Sequence, residues 1–446
     1  MRRCYGRNML QLAMAVLLSS FSISLAQAPK PALKKNADIE GSELKLVVIL
    51  SRHGVRPPTW TQTRLNAYSA LPWPKWDVDP GYLTPHGFEL LKKFGSFDRA
   101  SLASGGLIAA KGCTDAAGTY IWADTDERTM ESGRALAEGL YPDCPPAVHR
   151  LAAGQRDPLF HPGKQGKRQA DAEPVAAART PSERASEDKE HEVLTEIQHV
   201  LMGCSPEKTC SPARAPEISL LDVSAPTTGA KGGGFEEAPG ALALASSFAE
   251  DFLLEYTEGM PISEVGWGKV NEAQIRRFME LHTESSGFSH RTQANARIEA
   301  SNMLFHITLT LKQGAEEKPD DGAIGPRKSK LVILVGHDSN ISAVAGLLGL
   351  HWNLDGRKDD TPPGTELAFE LWKSPNGTDV VRVSVTMQTL KQMRGNDDLT
   401  PTSPPAHQVL TMEGCGGESG ECRYEDFIRL ADSVVDQSSV VATSPI

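Results

Sequence analysis

The chain has 446 residues, of which 57 are acidic and 46 are lysine or arginine, so its formal net charge is −11. An acidic protein is a poor partner for nucleic acid, and beyond the first 26 residues no run of about 20 apolar residues could cross a bilayer. These properties predict a globular body that binds neither nucleic acid nor membrane.

The N-terminus has the pattern of an export signal. Three arginines lie within the first seven residues, a mostly apolar run follows from Leu10 to Leu25, and small residues stand at Ala26 and Ala28. We predict a signal peptide at residues 1–26 and a periplasmic or secreted protein. Cleavage removes three arginines and no acidic residue, so the formal charge falls from −11 to −14.

The cysteines indicate disulfide bonds and no metal site. Seven are present, and six remain once Cys4 leaves with the signal. An even number in an exported chain is typical of disulfides, and neither a Cys-x-x-Cys nor a His-Glu-x-x-His motif occurs. About fifteen connectivities are possible. Proximity along the chain favours Cys204 with Cys210 and Cys415 with Cys422, which leaves Cys113 with Cys144.

The first predicted strand, Leu44–Leu50, leads into a turn that holds a histidine between arginines. Residues 51–58 read Ser-Arg-His-Gly-Val-Arg-Pro-Pro. A neutral ring nitrogen of His53 can attack phosphorus while the guanidinium groups of Arg52 and Arg56 hold the oxygens. Arg-His-Gly alone is a weak pattern, but here Arg56 and Pro58 stand at fixed offsets after a strand. We therefore predict His53 as a nucleophile.

Three segments share the order strand, polar turn, helix. The first unit ends in a helix that Thr84 caps. The second has its strand at residues 118–123 and its helix up to about Leu140, and the third has its strand at residues 330–335. Such units build a mostly parallel sheet flanked by helices, and ligands collect at the carboxyl ends of the strands. We predict an α/β fold with all three polar turns at one edge.

Residues 158–291 have a different character. They combine charged and Gly/Pro-rich stretches with helical candidates at 241–256 and 271–282. We predict an all-helical cap domain at 158–291, inserted into an α/β domain formed by residues 39–157 and 292–446.

The other two turns supply further candidates. Arg128 can complete a phosphate clamp, although it could instead pair with Asp124 or Asp126. After the third strand, His337 can bind phosphate oxygens and Asp338 can protonate a leaving group. The alternative for Asp338 is a capping role at a helix beginning near residue 340.

These segments resemble the histidine acid phosphatases, in particular the bacterial periplasmic group of phytases and glucose-1-phosphatases. The resemblance covers nearly the whole mature chain and rests on seven motifs in order: Arg52-His53-Gly54-Val55-Arg56-Pro57-Pro58-Thr59, Tyr82-Leu83-Thr84-Pro85-His86-Gly87, Asp126-Glu127-Arg128-Thr129, Asp157-Pro158-Leu159-Phe160, Gly266-Trp267-Gly268, Gly336-His337-Asp338-Ser339-Asn340 and Asp360-Thr361-Pro362-Pro363-Gly364. It implies an α/β domain with a helical cap, and neither a metal nor another cofactor. It also implies roles for the candidates: His53 as nucleophile, Asp338 as proton donor, and Arg52, Arg56, Arg128 and His337 as phosphate ligands.

Departures from the family pattern bear on the substrate. Thr59 follows the phytase version of the first motif, but the next position, often basic in phytases, is Trp60. Ser339, where phytases usually carry threonine, is similar to glucose-1-phosphatases. We expect Thr59 and Trp60 to contribute to the substrate pocket. The leading expectation is phytate (myo-inositol hexakisphosphate), with glucose 1-phosphate or a broad range of phosphate esters as the alternative.

Two further hypotheses lie outside hydrolysis. A phosphoryl-transferring mutase would share the Arg-His-Gly turn, but a signal peptide and six remaining cysteines disfavour a cytosolic enzyme. A non-catalytic phosphate-binding protein would not need candidates for a nucleophile and an acid. We expect a monomeric acid phosphatase whose partner is a small-molecule phosphate monoester.

Overall fold

The structure, a computed structural model, describes residues 41–152, 154–162, 181–208, 210–212, 214–223, 240–415 and 420–441, with the backbone alone for 181–188. The predicted signal peptide at residues 1–26 lies outside the described residues. The strands are β1 (Glu43–Arg52), β2 (Thr119–Ala123), β3 (Val148–His149), β4 (Leu331–Gly336), β5 (Asn353–Leu354), β6 (Arg357–Lys358), β7 (Glu366–Lys373), β8 (Asp379–Met387), β9 (Ala406–Leu410) and β10 (Glu421–Arg423). The helices are α1 (Gln62–Asn66), α2 (Pro85–Ser104), α3 (Glu127–Leu140), α4 (Pro181–Leu201), α5 (Ala241–Thr257), α6 (Glu272–Ser286), α7 (Gln293–Glu316), α8 (Asp338–Leu348), α9 (Leu390–Gly395) and α10 (Tyr424–Val434).

A mixed sheet of eight strands lies at the centre, in the order β10-β8-β7-β1-β4-β2-β3, with β9 also paired to β8. Strands β1, β4, β2 and β3 run parallel. Strands β7, β8, β9 and β10 continue the sheet with antiparallel pairings. The predicted α/β fold is confirmed, but the sheet is mixed and not mostly parallel, because the three strand-turn-helix units build only its parallel half.

Strand β1 lies in the middle of the sheet, and both of its faces are apolar. Leu46, Val48 and Leu50 point to the side covered by α7 and α8, whereas Val47 and Ile49 point to the side covered by α2 and α3. Helices on both faces of a parallel sheet bury such a strand completely. The residues that follow β1 are therefore attached to a strand that is almost completely buried.

Capping fixes where the helices after the strand ends begin. Thr84 accepts a hydrogen bond from the N–H of Gly87 (2.9 Å), as predicted for the start of α2. Helix α8 begins at Asp338, two residues before the expected start. Its N-cap residue is His337, whose N–H donates to Asn340 Oδ1 (2.9 Å), so the capping role considered for Asp338 is wrong. A carboxylate in the first turn is favoured by the helix dipole.

Helices α4, α5 and α6 pack around an apolar cluster of their own. Ile197, Phe248, Phe252 and Phe278 are fully buried there, and Val55, from the turn after β1, belongs to the same cluster. These helices therefore rest on the turn that carries His53. The division into domains at 39–157 and 292–446, with the cap at 158–291, stays a prediction.

Disulfide bonds join the cysteines in the pairing that proximity favours: Cys113–Cys144, Cys204–Cys210 and Cys415–Cys422. The first of these ties the segment after α2 to the end of α3. Among the described helices, none combines the length and the apolar character that a membrane span requires.

Two buried carboxyl groups lie beside β1 and interact with each other. Asp98 lies on α2 and is 8% exposed, and Glu366, the first residue of β7, is 3% exposed. In the described part of the chain, Asp98 Oδ2 and Glu366 Oε1 have no hydrogen-bond partner. Burial raises the pKa of Asp98 to about 7, although the interaction with Glu366 lowers it somewhat. Burial, followed by the charge of Asp98, raises the pKa of Glu366 well above its usual range.

This pair predicts a loss of stability as the pH rises. Both pKa values are raised in the folded state, so the stabilising contribution is complete below about pH 4 and is lost as the pH rises through 7. Asp98→Asn removes one titrating group and keeps a hydrogen-bonding side chain. We expect the decrease in Tm between pH 5 and pH 8 to be smaller in this variant, corresponding to a difference on the order of a few kcal/mol in the free energy of unfolding.

Thermal unfolding at both pH values checks this expectation. Asp79→Asn, at an exposed position, is the matched control. An equal decrease in Tm for the wild type and Asp98→Asn would show that the pair does not set the pH dependence.

Candidate active site

The carboxyl ends of β1, β4 and β2 bring the three polar turns together. His53 follows β1, His337 follows β4, and Arg128 lies in the first turn of α3, which follows β2. The N–H of His53 donates to the carbonyl of Gly336 (3.0 Å), which ties two of the turns together. The rings of His53 and His337 are 5.7 Å apart.

His53 has one ring nitrogen available for chemistry. Its Nδ1 lies 2.9 Å from the carbonyl oxygen of Gly54, which can only accept, so Nδ1 carries the proton and Nε2 keeps a lone pair. The side chain is 1% exposed. Burial, followed by the charges of Arg56, Arg52 and Arg128, lowers the pKa of His53 well below its usual value. The ring is therefore neutral and nucleophilic even in acid.

Three arginines around His53 offer donors that the described protein leaves unused. Arg52 is fully buried, Arg56 is 8% exposed, and the Arg128 side chain is 18% exposed. Each has a buried Nε without a hydrogen-bond partner in the described chain. Such donors are normally satisfied, and their concentration here suits an anion. Arg128 also pairs with Asp126 (2.6 Å), the alternative that the sequence left open.

Glu250, on α5, balances two of these charges. Its Oε1 accepts a hydrogen bond from Arg52 Nη2 and lies 3.6 Å from Arg56 Nη2. Burial would raise the pKa of Glu250, but the charges of Arg52 and Arg56 outweigh burial and lower it, so the group is ionised. Glu250 was not among the residues predicted from the sequence. The available signal was an acidic pair, Glu250 and Asp251, inside an otherwise apolar helix.

Asp338 lies in the first turn of α8, with Oδ2 3.9 Å from Arg52 Nη2. Burial would raise the pKa of Asp338, but the charge of Arg52, followed by those of His282 and His290, holds it below the usual range. Asp338 is therefore a carboxylate in the free protein. A phosphate dianion on the arginines would oppose their effect and favour a proton on Asp338.

Asp124 is fully buried and connects two histidines. Its Oδ2 accepts hydrogen bonds from Nε2 of His337 (2.7 Å) and Nε2 of His161 (2.6 Å). Burial would raise the pKa of Asp124, but the bonds from His161 and His337 outweigh burial and keep it ionised. The other ring nitrogen of His337, Nδ1, lies 3.5 Å from Arg128 Nη2. His161 was also missed, because its proximity to Asp124 and His337 arises only in the fold.

Thr59 lies near Arg128, one of the three arginines around His53. A Cβ atom built on Gly81 would be 3.5 Å from Thr59 Cγ2 and 3.6 Å from Arg128 Nη1, so the two side chains border the same space above Gly81. Thr59 is exposed, which agrees with a position at the mouth of the site.

Trp60 packs against α5. Its ring lies 6.0 Å from that of Tyr68 and 6.1 Å from that of Phe248. The guanidinium carbon of Arg64 stands 3.6 Å from the centre of the Trp60 ring, a close cation–π contact. Trp60 also lines a cavity of about 290 Å³.

Comparisons with known proteins agree with this geometry. The model of the histidine phosphatase superfamily (branch 2) matches residues 43–220 and 245–386. The chain is 34% identical over 429 residues to the phytase AppA of Escherichia coli, covering 94% of this chain and 98% of that protein. It is 27% identical over 431 residues to the glucose-1-phosphatase of Salmonella typhimurium, covering 93% and 96%.

A solved structure of Hafnia alvei phytase, in complex with myo-inositol hexakis sulphate, is similar to the whole described fold. The TM-score is 0.72 at 30% sequence identity, and the match covers 90% of this chain and 99% of the other. The chain therefore belongs to the histidine phosphatase superfamily, branch 2, and is a phosphomonoester hydrolase.

Proposed function

We propose that this protein is an exported acid phosphatase that hydrolyses phosphate monoesters through a phosphohistidine on His53, with phytate as its leading substrate. The observation that carries the proposal is the state of His53. Its Nε2 lone pair is available, its ring is neutral, and three arginines surround it. Preorganised cations beside a nucleophile stabilise the charge that phosphoryl transfer spreads over three equatorial oxygens.

In the first step, His53 Nε2 forms a bond to phosphorus and the ester P–O bond breaks. The leaving oxygen takes the electron pair of that bond and a proton from Asp338. Arg52, Arg56 and Arg128 hold the non-bridging oxygens, and His337 joins them once the phosphate charge favours a proton on its Nδ1, because its Nε2 donates to Asp124. The hydrogen bond from His53 Nδ1 to Gly54 stabilises the positive charge that develops on the ring.

In the second step, water attacks phosphorus and gives a proton to the Asp338 carboxylate. The P–N bond breaks, its electron pair returns to His53 Nε2, and inorganic phosphate leaves. Asp338 is protonated again and His53 regains its neutral ring. One carboxyl group thus acts first as an acid and then as a base.

Glu250 favours operation in acid. Substrate oxygens must compete with the Glu250 carboxylate for Arg52 and Arg56, since all three groups are in contact in the described structure. A phosphate monoanion is repelled by this carboxylate less than a dianion is. Together with the neutral His53, this supports turnover at mildly acidic pH.

The relatives and the mouth of the site support phytate as the substrate. A phytase is 34% identical to this chain, and Thr59 follows the phytase version of the first motif. Phytases often have a basic residue at the position of Trp60. In this chain Arg64 stacks on the Trp60 ring and so supplies a positive charge at the same position. Hydrolysis of glucose 1-phosphate, or of sugar phosphates generally, is the second candidate, favoured by the similarity to a glucose-1-phosphatase.

The setting in which the protein acts is part of the same proposal. The leader at residues 1–26 and three disulfides support a periplasmic or secreted location, because disulfides persist in oxidising compartments. We expect a monomer that binds no nucleic acid and works without a cofactor.

The nucleophile is tested with 4-nitrophenyl phosphate at mildly acidic pH. We expect His53→Ala to lower kcat by at least about three orders of magnitude, because no other group takes over the covalent step. His191→Ala, at an exposed position on α4, serves as the control. Wild type quenched during turnover in alkaline denaturant should carry protein-bound phosphate that is stable in base and is released by acid. Activity retained in His53→Ala would overturn the proposal.

The proton donor is tested by varying the leaving group. We expect Asp338→Asn to lower kcat for glucose 1-phosphate by about a hundredfold or more, because a sugar alkoxide needs a proton. For 4-nitrophenyl phosphate, whose leaving group is stable as an anion, we expect less than about tenfold. Losses of the same size for both substrates would rule out this role for Asp338.

The cation at the mouth is tested by Arg64→Gln. We expect kcat/KM for phytate to fall about fivefold while kcat/KM for 4-nitrophenyl phosphate stays within about twofold, since an exposed ion pair contributes up to about 1 kcal/mol. Arg134→Gln on α3 removes an exposed arginine elsewhere and is the matched control. If Arg64→Gln affects both substrates alike, this guanidinium does not meet the additional phosphates.

A further inference from the structure

We propose that Asp124, His161 and His337 form a binding site for a divalent transition-metal ion, with Zn²⁺ as the preferred ion, and that its occupation inhibits the enzyme. The three side chains lie beside the arginine clamp. Asp124 follows β2, His337 follows β4, and His161 lies in the segment after β3. The inference is independent of the substrate that the enzyme prefers.

The distances are close to those of a zinc site. One ligand atom from each of the three residues lies within 4.8 Å of the other two. Both histidine Nε2 atoms already point at the same Asp124 oxygen, at 2.7 and 2.6 Å. Ligands around tetrahedral Zn²⁺ are about 3.4 Å apart, given bonds of about 2.1 Å. A shift of under about 1 Å in each ring would admit the ion.

A fourth ligand is near. Asp126 Oδ2 lies 3.7 Å from His337 Nε2, and its side chain is 43% exposed and can rotate. Two imidazole nitrogens with two carboxylate oxygens match the ligand preferences of Zn²⁺. The His161 side chain is 39% exposed, which gives an ion a way in from solvent.

The surrounding charge favours a dication. Asp157, which is 1% exposed, adds a third carboxylate, and its charge acts on that of Asp124. Arg128 Nη2 lies 3.5 Å from His337 Nδ1, and this guanidinium group is already paired with Asp126.

The segment that carries His161 is held in place before any ion binds. The N–H of His161 donates to the carbonyl of Asp157 (2.8 Å), and the amide of Asn340 donates to the carbonyl of Phe160 (2.8 Å). Asp157 accepts in turn from the indole N–H of Trp122 (2.7 Å). Such outer contacts orient metal ligands and strengthen binding.

Occupation of this site would weaken phosphate binding. The ion would replace the hydrogen bonds that orient His337 and draw Asp126 from Arg128. Both His337 and Arg128 belong to the proposed phosphate ligands. Zn²⁺ is therefore an inhibitor here, and the hydrolytic mechanism itself needs no metal.

Direct binding is the first test, with full-length mature protein that carries no histidine tag. We expect equilibrium dialysis to show about one tightly bound Zn²⁺ per chain, and Co²⁺ to give the visible absorption of a tetrahedral site. His161→Asn should weaken Zn²⁺ binding at least about tenfold, because one ligand is lost. His351→Asn, which removes an exposed histidine paired with Asp359, should leave binding unchanged.

Inhibition is the second test. We expect Zn²⁺ to slow hydrolysis of 4-nitrophenyl phosphate by the wild type, a chelator to restore it, and His161→Asn to need at least about tenfold more Zn²⁺ for the same fractional loss. His161→Gln replaces it if thermal unfolding shows that the Asn variant does not fold. Equal affinity and equal inhibition in wild type and His161 variants would overturn the proposal.

Discussion

The structure around the site depends on one constraint, which is the need to keep several guanidinium groups buried while no phosphate is bound. A buried charge without a partner costs about 3–5 kcal/mol. Carboxylates from different parts of the chain meet this need: Glu250 and Asp338 approach Arg52, and Asp126 pairs with Arg128. Ion pairs thereby connect the end of β1 with α5 and with the start of α8, at the place where the substrate must bind.

The same arginines give His53 and Asp338 complementary protonation states. Burial, together with the positive charge of the arginines, keeps the imidazole of His53 neutral, and the charge of Arg52 keeps Asp338 ionised against the effect of burial. Substrate phosphate neutralises the field at the clamp, which favours a proton on Asp338 at the moment when a leaving group needs one. In many enzymes one set of charges shifts the protonation of two neighbouring groups in different ways, so that one group acts as the acid and the other as the nucleophile.

Local patterns in the sequence predicted the parallel half of the sheet and the turns at its edge. β1 is a continuous apolar run, and α2 begins at a Thr-Pro cap, so both can be recognised from neighbouring residues. The antiparallel strands β7 to β10 and helix α7 were not predicted. Their sequences carry no clear local signal, and they are stabilised by contacts with residues that are distant along the chain. Glu250 and His161 were missed for the same reason: their partners, Arg52 and Asp124, are distant in sequence.

The sharing of Val55 between the turn after β1 and the cluster of α4, α5 and α6 limits how this enzyme can be redesigned. Exchanging these helices for those of a relative, in order to change the substrate, would also replace Glu250 and the surface on which Val55 rests. The catalytic turn would lose packing and counter-charge together. A chimaera therefore has to transplant the turn with the helices, so the interchangeable unit is larger than α4, α5 and α6 alone.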